Sequence, residues 1–113
     1  MPDGRLNYVE LPCADVPAAR AFYEAAFGWT VMPFGDDYAA TTTGDVDLGL
    51  NGDPDQQTAA PLAVIQVSDL EAAQARIEAA GGVMTLPIFA FPGGRRFHVR
   101  DPGGSEIAVM QPD

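Results

Sequence analysis

The chain has 113 residues, a length that predicts one small domain, and 47% of them are hydrophobic, which is enough for a folded core. Its net charge is −10 and its pI is about 4.1, so phosphate backbones and anionic lipids are repelled and we expect no nucleic-acid or membrane partner. There is no pattern typical of an export signal and no apolar run long enough to span a bilayer. With the single cysteine, Cys13, this predicts a cytoplasmic protein.

The sequence contains an internal repeat. Residues 15–28 align with residues 69–82 at a shift of 54 positions, with an aspartate, a glutamate and a glycine at matching places. Farther along, residues 44–50 align with 103–109 at a shift of 59, which indicates an insertion near the Phe91-Pro92-Gly93-Gly94 loop. The repeat therefore predicts two copies of one supersecondary unit.

Each copy has the pattern of a strand, a helix and three strands. The first helix is predicted to begin at Asp15 and to end at Gly28, and the second to begin with the capping-box spacing of Ser68 and Glu71 and to end at the Gly81-Gly82 pair. The predicted strands are 8–13, 29–34, 37–42 and 46–50 in the first copy and 62–67, 83–88, 96–100 and 106–110 in the second. The order βαβββ–βαβββ predicts an α+β domain whose modules cover about residues 5–51 and 61–111.

The periodicity of the first helix predicts that its apolar residues share one face. Its apolar residues recur at i, i+3 and i+4 and are Val16, Ala19, Phe22, Tyr23, Ala26 and Phe27. Core packing explains Trp29, which follows the helix. Phe34, Phe89 and Phe91 can instead form a hydrophobic lid.

Two motifs at opposite ends of this doubled unit carry a family resemblance. The stretch 8–15 with the "FY" of 22–23 and the "FGW" of 27–29, and the closing stretch 96–109, resemble the glyoxalase/bleomycin-resistance/dioxygenase superfamily, in particular its lactoylglutathione-lyase-related branch. The resemblance implies the vicinal oxygen chelate fold, in which each module forms a half-barrel sheet and two modules enclose a ligand cup. It also implies a homodimer.

The resemblance further implies four metal-ligand positions, which fall on Tyr8, Gly49, Leu62 and Ala108. None of these four is an ordinary ligand. The chain has one histidine and one cysteine in total, whereas catalytic zinc needs about three protein ligands. We therefore expect no cofactor, with one divalent metal ion on a carboxylate-rich site as the alternative.

Strand alternation, combined with the resemblance, places a different set of side chains on the cup side. His98 and Glu106 are the candidate catalytic residues. The candidate ligand-binding residues are Tyr8, Glu10, Gln66, Arg96 and Met110. Each also has a structural interpretation: His98 can be a hydrogen-bonded sheet residue, and the arginines of the 95–100 stretch can pair with surface carboxylates.

Three functions follow from this set. The leading hypothesis is a metal-independent protein that binds a small amphipathic or anionic molecule, with Arg96 at its anionic end and weak lyase or isomerase-type chemistry by His98 and Glu106. The second is a divalent-metal-dependent lyase or dioxygenase with a rearranged oxygen-rich site, whose ligands would be Asp47, Glu10, Glu106 and His98. The third is a structural or regulatory partner that associates through its sheet edges.

Overall fold

The fold is that of a computed structural model, which describes residues 3–113. The elements in chain order are β1 (Arg5–Pro12), α1 (Val16–Phe27), β2 (Met32–Pro33), β3 (Tyr38–Ala40), β4 (Asp47–Asn51), β5 (Leu62–Gln66), α2 (Leu70–Ala79), β6 (Val83–Phe91), β7 (Gly94–Arg100) and β8 (Glu106–Pro112). A strand, a helix and three strands thus occur twice. The predicted α+β class and the βαβββ repeat are confirmed.

The residues form two compact units. The first unit is Tyr8–Leu62, and the second unit combines residues 3–7 with Ala63–Asp113. The start of β1 therefore belongs with the second half of the chain. The single domain with modules at about 5–51 and 61–111 stays a prediction.

The sheet of each unit contains one parallel pair of strands. In the first unit the order is β2-β3-β4-β1, and β1 runs parallel to β4 with Glu10 opposite Gly49. In the second unit the order is β5-β8-β7-β6, and β5 runs parallel to β8 with Gln66 opposite Met110. Parallel neighbours need a long crossover, which the helix and the two intervening strands supply in each unit.

One face of each sheet packs against the helix of its unit. In the first unit the buried core residues are Val16, Val31, Ala39 and Leu50, with half-buried Cys13 packed against them. In the second unit they are Val67, Leu70, Ala73, Phe97, Val99 and Val109. Because successive side chains of a strand point to opposite faces, the residues between these core positions lie on the other face of each sheet.

The helix ends are set by aspartates and glycines. Asp15 precedes α1, and its carboxylate accepts a hydrogen bond from the Ala18 amide at 3.0 Å, as predicted. Gly28 ends α1 at a positive φ of 71°, which an L side chain rarely adopts.

No helix among the described residues has the length and apolar character needed to cross a membrane.

The predicted capping box of α2 is wrong by one residue. Asp69, rather than Ser68, caps the helix, and its carboxylate accepts from the Ala72 amide at 3.1 Å. The Ser68 hydroxyl donates instead to the Asp3 carboxylate at 3.0 Å. Asp3 thus ties residues near the start of the chain to the beginning of α2.

The larger side chains on the apolar face of α1 are exposed, and so is Trp29, for which core packing was predicted. Phe22, Phe27 and Trp29 are 59%, 60% and 42% exposed, whereas Val16 is buried and Tyr23 is half-buried. The rings pack on one another at the surface, because Tyr23 stacks on Trp29 with centroids 5.6 Å apart and Trp29 stacks on Phe27 at 5.2 Å. Strand β2 is also shorter than the predicted strand at 29–34, since it has only two residues.

Replacement of Asp15 tests whether its carboxylate caps α1. We expect Asp15→Ala to lower the free energy of unfolding by about 1 kcal/mol, because an amide of the first turn loses its acceptor. Urea denaturation followed by circular dichroism measures this. The control Asp15→Asn retains a capping oxygen, and an equal loss in both variants would contradict the capping role.

Candidate functional site

A buried carboxylate lies at the centre of the first unit's polar face. Glu10 is 4% exposed, and its Oε1 accepts a hydrogen bond from the Tyr38 hydroxyl at 2.9 Å. Its Oε2 lies 3.4 Å from Asn51 Nδ2, which donates to it. The Tyr8 and Tyr38 hydroxyls are 2.6 Å apart. Because the one hydroxyl proton of Tyr38 goes to Glu10, Tyr8 donates to Tyr38, and the chain of donors runs from Tyr8 through Tyr38 to Glu10.

The protonation of Tyr38 is consistent with this direction. Burial, and then the negative charge of Glu10, raise the pKa of Tyr38 far above its ordinary value of 10.0. Tyr38 therefore stays a donor at neutral pH. It was not predicted from the sequence, and neither was Asn51, although a glycine inside a strand, Gly49, was a signal that another group approaches the backbone there.

Gly49 makes room for the two tyrosines. A Cβ atom at this position would collide with the hydroxyls of both Tyr8 and Tyr38. Gly49 is also one of the four positions at which the resemblance implies a metal ligand. In this chain the space beside its backbone is occupied by phenol oxygens that are hydrogen-bonded to each other.

The four implied ligand positions do not fit a metal ion. Tyr8 is engaged with Tyr38, Gly49 has no side chain, and Leu62 and Ala108 are apolar and fully buried. Among residues 3–113, no three His, Cys, Asp or Glu side chains form a group that could hold a metal ion.

Asp47, an alternative ligand in the sequence analysis, organises a turn. Its Oδ1 accepts hydrogen bonds from the Thr41 hydroxyl at 2.6 Å and from the Thr43 amide at 2.8 Å, and its Oδ2 accepts from the Gly44 amide at 3.1 Å. Burial opposes ionisation of Asp47, but these hydrogen bonds together outweigh it and lower the pKa of the carboxyl below its ordinary value of 3.8.

The second unit brings the two candidate catalytic residues together. His98 on β7 is 4% exposed, and its Nδ1 lies 3.2 Å from Glu106 Oε2 on β8. The same carboxylate oxygen accepts from the Thr85 hydroxyl at 2.9 Å. An ionised Glu106 only accepts, so Nδ1 carries the proton in the neutral ring and Nε2 is its basic nitrogen.

Arg96 differs from its two arginine neighbours. Arg95 forms a two-pronged ion pair with Glu71 at 2.6 and 3.0 Å, and Arg100 donates to the Gly104 carbonyl. The Arg96 guanidinium carbon instead lies 5.2 Å from the Phe89 ring centroid and 5.3 Å from that of Phe91. Arg96 has no ion pair or hydrogen bond among the described residues, and its Nε is buried.

Gln66 and Met110 lie on the same face as Arg96, together with Asn7, which was not predicted. Asn7 Nδ2 donates to Gln66 Oε1 at 3.2 Å and lies 3.9 Å from Met110 Sδ. The buried Asn7 Oδ1 accepts no hydrogen bond from residues 3–113. A buried polar group without a hydrogen bond costs about 1–3 kcal/mol of stability. Asn7 and Arg96 are therefore each candidates to form a hydrogen bond with a ligand.

The predicted residues thus occur as two groups, one in each unit. Tyr8 and Glu10 lie in the first, and Gln66, Arg96, His98, Glu106 and Met110 in the second. The described chain has two surface depressions of about 540 and 550 Å³. The first is lined by Trp29, Asp47 and four threonines among others and contains none of these residues. The other, beside Asp3 and Arg5, contains Gln66 alone of the set.

The comparison with family models agrees with this fold. Residues 5–109 match the model of the glyoxalase/bleomycin resistance protein/dioxygenase superfamily. The match covers nearly the whole chain, and the chain belongs to this superfamily. The family predicted from the two sequence motifs is confirmed.

Two curated relatives have the same name, "Putative glyoxylase CFP32", and come from Mycobacterium bovis and Mycobacterium tuberculosis. Each is 29% identical to this chain over 119 residues, which cover 96% of the chain and 46% of the relative. The chain therefore spans about half the length of the curated relatives that it matches.

Solved structures show the same fold at low identity. A superfamily member from Vibrio splendidus has a TM-score of 0.72 at 20% identity, with 97% of this chain and 99% of that chain covered. Methylmalonyl-CoA epimerase from Mycobacterium tuberculosis has a TM-score of 0.72 at 21% identity, with 96% and 87% covered. At such identities the likeness concerns the fold alone.

The hydroxyl of Tyr38 is expected to stabilise the first unit through Glu10. Tyr38→Phe removes a donor from a buried carboxylate and should lower the free energy of unfolding by about 1–3 kcal/mol. Glu10→Gln combined with Tyr38→Phe should cost less than the sum of the two single changes, because the partners act together. Urea denaturation of the four proteins measures this coupling, and additive losses would contradict it.

Asp47 should make stability depend on pH. Since its pKa is lowered in the folded chain, its stabilisation is present above the unfolded-state pKa and is lost as the pH falls through the folded-state pKa. We expect Asp47→Asn to be less stable than the parent by about 1–2 kcal/mol at pH 7, with the difference shrinking steadily below pH of about 4. A difference that is unchanged at low pH would show that charge is not involved.

Proposed function

We propose that the chain binds a small anionic or amphipathic molecule on the polar face of its second unit, with Arg96 as the anion-binding residue and without a metal ion at the four family positions. The observation that carries this proposal is the guanidinium of Arg96, which rests on two phenylalanine rings with no carboxylate beside it among residues 3–113. A cation in this setting is available to an anion from outside.

The charge balance of the chain makes that availability informative. Acidic residues outnumber basic ones by 16 to 6, so a surface arginine has many potential partners in its own chain. Arg95 has such a partner in Glu71. Because β7 presents Arg95 and Arg96 on opposite faces of the sheet, the pairing of one leaves the other on the face with His98.

His98 and Glu106 supply an acid–base group on that same face. The contact with Glu106 orients the ring and sets its tautomer, which leaves Nε2 as the nitrogen that can accept a proton. This arrangement suits weak isomerase-type chemistry, in which a proton is removed from one position of a bound molecule and returned to another. It also suits weak lyase-type chemistry, in which removal of the proton is accompanied by departure of a leaving group with its bonding electron pair. The curated relatives are named putative glyoxylases, and this chain spans about half of their length.

The remaining predicted residues differ in how well the structure supports a role in ligand binding. By strand register Met110 lies beside Arg96 and Gln66 lies beside Met110, and both are proposed as contact residues. Tyr8 and Glu10 lie in the other unit, where their hydrogen bonds with Tyr38 already account for their position. A homodimer and a cytoplasmic location stay predictions.

The alternative function, a divalent-metal-dependent lyase or dioxygenase, has less support. It needs Asp47, Glu10, Glu106 and His98 as ligands. Each of the three carboxylates already accepts hydrogen bonds from side chains or amides of its own unit. Among residues 3–113, no three of these four side chains form a group that could hold a metal ion.

The test measures binding of octanoate, benzoate and phenyl phosphate to the full chain by NMR titration in the presence of EDTA. We expect at least one of these anions to bind, and Arg96→Ala to weaken its binding about tenfold or more, since a hydrogen-bonded charge pair is worth about 1.5–3 kcal/mol. Arg95→Ala is the matched control, and it should leave the affinity nearly unchanged.

Two results would overturn the proposal. One is binding that Arg96→Ala does not weaken. The other is binding that disappears in EDTA and returns with one equivalent of Mn²⁺, Zn²⁺ or Ni²⁺, together with retention of that metal after desalting. The second result would support the metal-dependent alternative.

A further inference from the structure

Three neighbouring strands of the second unit place Gln66, Met110 and Arg96 in one row. Gln66 on β5 lies opposite Met110 on β8, and Met110 lies opposite Arg96 on β7. Paired residues of adjacent strands point to the same face, and adjacent strands are about 4.8 Å apart. The backbones that carry Gln66 and Arg96 are therefore roughly 10 Å apart, with Met110 between them.

The two ends of this row have complementary hydrogen-bonding character. At one end, the Asn7 carboxamide donates through Nδ2 to Gln66, and its buried Oδ1 accepts nothing from residues 3–113. At the other end, Arg96 offers N–H groups and no described residue accepts from them. An acceptor thus lies at one end and a cationic donor at the other, and the Met110 side chain, 8% exposed, lies between them.

The anionic end of a matching ligand is better met by a carboxylate than by a phosphate. The planar guanidinium of Arg96, whose central carbon lies over the Phe89 and Phe91 rings, can donate two parallel N–H groups to a two-oxygen carboxylate. A phosphate dianion would add a second negative charge on a sheet face that already holds Glu106, in a chain of net charge −10.

We infer that the ligand of the second unit is an elongated carboxylate that has a hydrogen-bond donor at its opposite end, with its carboxylate at Arg96, its apolar middle over Met110 and its donor at Asn7 Oδ1. This inference rests on the proposed anion site at Arg96 and specifies the chemical class that the site takes. It assigns to Asn7 the role of selecting the far end of the molecule.

The experiment compares two probes that share one eight-carbon carboxylate chain, 8-hydroxyoctanoate and 8-methoxyoctanoate, by NMR titration against the full chain. They share the carboxylate and the apolar chain, and only the first has a terminal donor. We expect the hydroxy acid to bind about tenfold more tightly, the value of one well-made hydrogen bond to a buried acceptor. Because this comparison uses the unaltered protein, it does not depend on whether a variant folds.

Variants then locate each end. Asn7→Leu should abolish the preference for the hydroxy acid while the methoxy acid binds as before, and Asn7→Asp, which keeps an acceptor, should retain a preference. Arg96→Ala should weaken both probes by the same factor. Gln56→Leu, a change at an exposed position elsewhere, is the control for loss of a carboxamide.

The outcomes separate this inference from the proposed function. If neither probe binds, the inference fails, and it fails together with the proposal if no other anion binds through Arg96. If both probes bind through Arg96 with equal affinity, the anion site stands and the assignment of Asn7 is overturned. A preference for the hydroxy acid that survives Asn7→Leu also overturns it, because the donor is then recognised elsewhere.

Discussion

One helix packs against each sheet, and this contact makes one face of the sheet a buried core and leaves the other face for polar side chains. Once α1 or α2 covers one face, the residues that alternate with the core lie on the other, and Glu10, Arg96 and His98 occupy that second face. The parallel pairs β1–β4 and β5–β8 then set which of these side chains are neighbours. The Glu10 group and the Arg96 row both follow from this constraint.

In the first unit the constraint leaves a carboxylate in a buried position, and the chain satisfies it without a cation. Two phenols, a carboxamide and a glycine act together: Asn51 and Tyr38 donate to Glu10, Tyr8 donates to Tyr38, and Gly49 leaves the volume that the phenols need. The resemblance to the superfamily implied metal-ligand positions at Tyr8 and Gly49. In this chain a series of hydrogen bonds occupies those positions instead. The low exposure of Glu10 makes that chain a requirement of folding as well as a candidate feature of a site.

Much of the fold could be predicted, because the repeat fixed the element order and Asp15, Gly28 and the turn glycines marked the boundaries. The site was less predictable. The alternation rule put His98, Glu106 and Arg96 on one face and Arg95 on the other. It could not show that Arg95 pairs with Glu71 of α2, because ion pairing depends on tertiary distances. Tyr38 and Asn7 were missed since each acts through a partner far along the chain. The exposed Phe22 and Phe27 were missed because a helical period indicates a common face and says nothing of what covers it.

The contact of Arg96 with Phe89 and Phe91 has a consequence for conformational entropy. An arginine that is held in one conformation loses side-chain freedom worth about 1.5–2 kcal/mol, and ordinarily a ligand that immobilises it must offset that loss. Here the two rings restrict the guanidinium before a ligand binds, so most of the side-chain entropy of Arg96 is lost when β6 and β7 fold. The proposed anion-binding end of the row is in this sense preorganised by a tight turn, since Pro92 and Gly93 join the two strands that bring the rings and the guanidinium together.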